Sequence, residues 1–250
     1  MKTLEKVMQG IKEGLYREHP EQYLTDALDH DPWDWQTRAI RQLFLGEKHR
    51  LSVVAPHRKG KTTFSALLAH YFITNYVPSK TVVTGPSGNE TKGSFWQAVK
   101  RIHERSVFKE QMTLSPTRMY MDDTTKDYWF VLWASSHLPK MVEGFMGPLE
   151  GRNLLWIVEK APLVRDEVFH AISGSLSMED TFCYISGVAK EPHGFFYETQ
   201  TKNHNWDAIH VPPTEAPIFS PDIVNRWKKQ FGEGSPIYRQ RILGEFTEAS

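Results

Sequence analysis

Leu51-Ser52-Val53-Val54-Ala55-Pro56-His57-Arg58-Lys59-Gly60-Lys61-Thr62-Thr63 is the stretch on which the fold turns. Leu51 to Ala55 is short and mostly apolar, as a buried strand requires, and from about Thr62 to Tyr71 the chain reads as a helix. Between them lies Gly60-Lys61-Thr62, the second half of a phosphate-loop pattern, in the strand-to-helix setting that pattern needs. There, successive backbone N–H groups and the helix N-terminus face phosphate oxygens, Lys61 reaches the β and γ oxygens, and the Thr62 hydroxyl ligates Mg²⁺. Ala55 stands where the pattern has its first glycine. The match is therefore partial, and the alternative is an ordinary basic turn opening a helix.

The same unit recurs downstream. Thr81-Val82-Val83-Thr84 reads as a strand, Gly85-Pro86-Ser87-Gly88 as a loop, and the following segment as a helix carrying Phe95, Trp96, Val99 and Ile102. Further strands are predicted at 128–134, 154–158 and 182–186, with a helix near 166–172. Such alternation predicts an α/β fold with a central, mostly parallel sheet flanked by helices. Upstream, Leu4, Val7, Met8, Ile11 and Leu15, then Tyr23, Leu24, Ala27 and Leu28, recur at helical spacing. Residues 1–30 thus read as an N-terminal helical appendage, 31–211 as the core, opened by a helix at 35–44, and 212–250 as a C-terminal helical lid.

At 250 residues the chain can bury a sizeable core. Lys plus Arg is 30 and Asp plus Glu is 30, so formal net charge is zero. That excludes a polybasic binder whose affinity comes from overall charge and confines any nucleic-acid contact to a local patch. The single cysteine, Cys183, excludes an internal disulfide framework and fits a reducing compartment. Eleven scattered histidines form no zinc-binding spacing. Met1 to Glu18 has no apolar signal core, and no apolar run reaches the roughly 18 residues of a membrane span.

A phosphate-loop ATPase needs a second element, an acid supporting Mg²⁺ and an acceptor for the attacking water. Leu154-Leu155-Trp156-Ile157-Val158-Glu159 is an apolar strand ending in such an acid, although a strand reaching solvent reads the same way.

With these pieces in place, residues from about Trp33 to Phe246 resemble the ATPase domain of the large terminase subunit, the DNA-packaging motor of tailed bacteriophages. The resemblance rests on ordered segments: Trp35-Gln36, the phosphate loop, Val82-Val83-Thr84-Gly85-Pro86, Glu143-Gly144-Phe145-Met146-Gly147 and Ile157-Val158-Glu159-Lys160-Ala161. Asp166-Glu167-Val168-Phe169, Gly194-Phe195-Phe196-Tyr197 and Ser235 to Phe246 complete it. It implies a P-loop NTPase of the additional-strand (ASCE, RecA-like) type that binds ATP and Mg²⁺. Double-stranded DNA, a ring of copies on the capsid portal and the small terminase subunit are the implied partners. The implied setting is the host cytoplasm, transiently on the procapsid, with no membrane. A helicase-like translocase, or a nucleotide-binding subunit that no longer hydrolyses ATP, would share the core. Large terminases continue past the Gly-Glu-Phe segment into a nuclease, so the resemblance covers the motor portion.

By the same resemblance Gln36 reads adenine, and Ala55, Pro56, His57, Arg58, Lys59, Gly60, Lys61, Thr62 and Thr63 surround the phosphates. Thr62 and Glu159 serve Mg²⁺. Ser186-Gly187 occupies the coupling position. Arg58 is the candidate for an arginine acting on the γ-phosphate, while His57 falls in the commonest slot for it. Lys92, Lys100, Arg101 and Arg105 are candidate DNA contacts, as are Lys140, Arg152, Lys202, Arg226, Lys228 and Lys229; solvated helix faces are the alternative.

Glu159-Lys160 departs from the family's Asp-Glu. A lysine, with an ordinary pKa of about 10.4, is a cation at neutral pH and does not activate water. Losing a general base costs about 10² to 10⁴ in rate. Three explanations stand: an inactivating substitution, another base such as Glu150 or Asp166, or a shifted register in which Glu159 is the base. The expectation is intact nucleotide binding with weak turnover.

Overall fold

In the computed structural model, which describes residues 2–86, 89–135, 153–177, 180–215 and 221–248, eight strands form one sheet. They are β1 (Arg50–Val54), β2 (Ser79–Thr84), β3 (Thr113–Leu114), β4 (Arg118–Tyr120), β5 (Phe130–Trp133), β6 (Asn153–Val158), β7 (Thr181–Gly187) and β8 (Asp207–His210). Their spatial order is β3-β4-β5-β2-β6-β7-β1-β8. All pairings from β5 to β8 are parallel; β4 joins β5, and β3 joins β4, antiparallel. The sheet is therefore mostly parallel, with β7 inserted between β1, which leads into the Gly60-Lys61-Thr62 loop, and β6, which leads into Glu159. That insertion is the additional strand of the expected class.

Side chains alternate between two cores because successive residues of a strand face opposite ways. Val53, Val83, Leu155, Ile157, Phe182 and Tyr184 enter one apolar cluster, whereas Val54, Val82, Leu154, Trp156, Val158, Cys183 and Ile185 enter the other. Both faces are covered, which is why these strands read as continuous apolar runs. The first cluster lies under α1 (Leu4–Lys12), α2 (Leu15–Glu18), α3 (Pro20–Leu28), α4 (Asp34–Leu45), α5 (Lys61–Asn75) and α6 (Asn89–His103). The second lies under α7 (Asp166–Ser173) and α8 (Phe195–Thr201). Helix α5 is buried on all sides from Phe64 to Asn75, because it runs between the sheet and the N-terminal helices. Val7, Tyr16, Tyr23, Leu24, Ala27 and Leu28 are fully buried in the cluster that holds Phe64 and Phe72. The segment read as an appendage thus shares the core of the sheet.

The C-terminal segment contains α9 (Pro221–Phe231) and a short helical stretch, Pro236–Tyr238, continued by a π-helical turn, Arg239–Leu243. Thr247 N donates to the Lys190 carbonyl at 2.9 Å, tying the chain's end to the loop after β7. Among the described residues no helix is long and apolar enough to cross a membrane.

Candidate nucleotide site

Parallel strands bring their carboxyl ends to one edge, and there β6, β7 and β1 end side by side. Val54 is level with Gly187, and Ala55 N donates to the Gly187 carbonyl at 3.0 Å. A cavity of about 510 Å³ opens at this edge, lined by residues 57–63, Glu159, Lys160, Pro162, Leu163, residues 187–190, Gln240 and Arg241.

The loop closes onto α5 through Gly60, whose φ of 69° is left-handed. A Cβ there would sit 3.0 Å from the Trp33 ring and 3.3 Å from Gln36 Nε2, so conformation and space both require glycine. Arg58 and Lys160 are also left-handed, with φ of 60° and 51°. Such a conformation costs a non-glycine residue about 1 to 2 kcal/mol, so two strained backbone positions border the cavity.

Lys61 donates through Nζ to the carbonyls of Ala55 and Pro56, at 2.7 Å each. Burial lowers its pKa from 10.5 to about 8, while the nearby Glu159 carboxylate works in the other direction. Glu159 is 2% exposed. Its Oε2 accepts from the Thr62 hydroxyl at 2.9 Å and its Oε1 from the Ser65 hydroxyl. Burial raises its pKa, and the Ser65 and Thr62 hydrogen bonds, then Lys61 and Lys160, oppose that rise. The acid is held by two hydroxyls from the first turn and a half of α5, with Lys61 acting on it electrostatically. Ser65 lies outside the phosphate-loop pattern, and its only sequence signal is its place one helical turn after Lys61.

Those oxygens suit Mg²⁺. This ion keeps several waters and is bound through one or two carboxylates together with substrate phosphates, without a protein cage. Thr62 and Glu159 supply hydroxyl and carboxylate oxygens side by side, and among the described residues no cluster of three His, Cys, Asp or Glu offers a rival metal site.

The remaining expected residues divide. Thr63 and Gly187 line the cavity, whereas the Ser186 side chain is buried and does not. Gly187 is required: a Cβ there would meet Pro162 Cδ at 2.2 Å. Lys59 is fully buried and donates to the Pro213 carbonyl. Burial lowers its pKa, with Glu215 opposing, and the bond to Pro213 ties the loop to the C-terminal segment. Glu215 in turn accepts from Arg38 at 2.8 Å and 3.1 Å. Gln36 is buried, and its Oε1 is occupied by Trp33 N and His30 Nε2, both at 3.1 Å. It supports Gly60 from behind and does not line the cavity.

Asp166, offered as another base, does not line this cavity. Its Oδ1 accepts from Phe195 N at 3.2 Å, and it lines a neighbouring cavity of about 360 Å³. Glu150 lies outside the described residues, as do Ser87, Gly88, Lys140, Arg152 and the segment Glu143 to Gly147. Of the basic residues considered for DNA, Lys100 pairs with Glu104 at 3.8 Å and Lys228 with Glu233 at 2.6 Å. Gln240, Arg241 and Lys190 line the cavity without any local sequence signal, because only the fold brings the C-terminal segment and the loop after β7 here.

No family model matches this chain, and no curated protein does. Solved structures do. The large terminase of a thermophilic bacteriophage matches with a TM-score of 0.68 at 11% identity, over 87% of this chain and 54% of that one. The large terminase of bacteriophage HK97 matches at 0.67 and 12% identity, over 92% and 55%. The large terminase ATPase domain of Thermus phage P74-26 matches at 0.61 and 16% identity, over 88% and 96%. The chain spans about half the length of the first two proteins and nearly all of the P74-26 domain. At such identities the likeness is one of architecture: this chain has the fold of the ATPase domains of phage large terminases.

Proposed function

We propose that the chain is a large terminase ATPase domain, binding ATP with Mg²⁺ at this edge and coupling its hydrolysis to movement of double-stranded DNA into a procapsid. The observation that carries the reading is the bond from the phosphate-loop hydroxyl of Thr62 to the strand-end carboxylate of Glu159. It joins the two elements that such an ATPase uses together. Arg58, Lys61, Lys160, Lys190 and Arg241 surround the cavity, against one carboxylate among its described lining residues. That excess of positive charge favours a polyphosphate. The thermophilic-phage large terminase has been seen with ADP and with ATP-gamma-S, which is in keeping with nucleotide at the same place.

When bound, Mg²⁺ would neutralise charge on the β and γ oxygens. The protein's own contributions follow from its geometry. Loop N–H groups and the start of α5 orient the phosphates, Lys61 neutralises them, and Glu159 holds the Thr62 hydroxyl in place. Lys160, in the position after the acid, brings a cation where water activation calls for an acceptor. Turnover is therefore weak although binding is intact. A nucleotide-binding subunit without hydrolysis is the second reading, favoured by the commitment of both Glu159 oxygens to Thr62 and Ser65.

ATP binding and turnover, measured with and without duplex DNA for the native chain and Lys160→Glu, separate the two. The motor reading expects slow, DNA-stimulated hydrolysis that Lys160→Glu raises about 10²-fold or more. Binding without turnover in either protein, with or without DNA, would favour the second reading. No binding at all would sink both.

A further inference from the structure

Hydrolysis at this site is accelerated by a group that can take a proton from the attacking water, and the described lining residues narrow the choice. Arg58, Lys59, Lys61, Lys160, Lys190 and Arg241 are cationic side chains. Glu159 is 2% exposed and is the carboxylate assigned, with Thr62, to Mg²⁺, a role that a proton on it would cancel. Gln240 donates through Nε2 to Thr247 Oγ1 at 2.8 Å, and a carboxamide oxygen orients water without accepting its proton. The Thr62 hydroxyl is committed to Glu159. There remains an imidazole, exposed to the cavity on the phosphate loop four residues before Lys61.

Resting on the ATPase reading, we propose that His57 is the proton acceptor of the hydrolytic step, doing from the phosphate loop what Lys160 cannot do from the end of β6. As the water oxygen bonds to the terminal phosphorus, one water proton passes to a ring nitrogen of His57. The bond from that phosphorus to the bridging oxygen breaks, ADP departs with its electron pair, and the imidazolium later returns its proton to solvent. The surroundings suit the role. Partial burial, then Lys61, Arg241, Lys160 and Arg58, lower the imidazole pKa from its ordinary value, which favours the neutral, proton-accepting ring in the free protein. The arriving triphosphate brings negative charge that raises its basicity when the proton must be taken. Lys160 then acts as a fixed cation beside the phosphates.

The test is single-turnover hydrolysis against pH, with ATP·Mg²⁺ affinity measured in parallel, for the full chain and His57→Asn. Asparagine keeps polarity and removes ionisation. The expected result is a rate for the native chain that falls on the acid side. In His57→Asn the rate drops about 10²-fold or more, the acid limb disappears, and affinity stays within about twofold. Added imidazole restores turnover to His57→Ala. Undiminished turnover in His57→Asn with the acid limb retained would overturn the inference while leaving the ATPase reading intact. So would a loss of affinity that matches the loss of rate, since His57 would then serve ground-state binding. Native binding without hydrolysis would overturn the inference too, and absence of native binding would overturn both.

Discussion

Gly187→Ala tests how tightly the edge of the sheet is built. The new Cβ would lie 2.2 Å from Pro162 Cδ, 2.7 Å from Pro162 Cγ and 3.3 Å from Phe196 Cε1. Carbon contacts are favourable near 3.5 to 4.0 Å, so the proline ring must retreat by roughly 1 Å or more. It cannot do so by rotating, because the ring fixes its own backbone. The turn Ala161–Leu163 that contains it must move, and this turn follows Lys160 directly. Overpacking of this kind costs about 1 to 3 kcal/mol. In a chain of this size each kcal/mol lowers Tm by about 2 to 4 °C, giving a fall of about 2 to 12 °C. The Gly187 carbonyl also accepts from Ala55 N, so turnover should fall with stability. Thermal unfolding and ATP turnover of purified Gly187→Ala check this. Unchanged Tm and unchanged turnover would show that Pro162 does not press on Gly187.

Other expected outcomes follow from the same contacts. Ser65→Ala leaves a Glu159 oxygen buried without its donor, so stability should fall by about 1 to 3 kcal/mol, measured by denaturant unfolding, and the Mg²⁺ needed for ATP binding should rise. Acid should unfold the protein partly through His70, which burial, reinforced by His103, keeps neutral by lowering its pKa to about 3. Its contribution is complete above the unfolded value of about 6.5 and is lost as pH falls from there toward 3, about 2 kcal/mol by pH 5. A stability-against-pH series in which His70→Phe shows a shallower acid slope checks this; equal slopes would refute it. Gly60→Ala should cost about 1 to 2 kcal/mol from its left-handed backbone alone and weaken nucleotide binding, as titration with ATP would register.

What the sequence made legible was local. Val53, Val83, Leu155 and Tyr184 announce buried strands because both faces of a parallel sheet are covered, and Gly60-Lys61-Thr62 lies between strand and helix as its pattern requires. Strand β8 was not legible: Asp207, Ala208, Ile209 and His210 form a short, half-exposed edge that pairs only because β1 lies alongside. Antiparallel β3 and β4 are two and three residues long, too short for any period to register. At the site, residue types were readable but not their partners. Nothing near Gly187 in the chain reveals Pro162, and nothing near Asp166 reveals that Phe195 N occupies its carboxylate. Gln36 shows the converse, since its spacing from Trp33 already contained the helix cap that takes up its oxygen.

The central claim is that the cavity at the ends of β1, β6 and β7 binds ATP with Mg²⁺ through Lys61 and the Thr62–Glu159 pair. Calorimetric titration of ATP into the native chain and into Lys61→Ala, each with and without Mg²⁺, tests it most directly. The account predicts saturable, Mg²⁺-dependent binding by the native chain that Lys61→Ala weakens at least about tenfold, a difference of about 1.4 kcal/mol. Equal affinities for the two proteins, or binding indifferent to Mg²⁺, would contradict it.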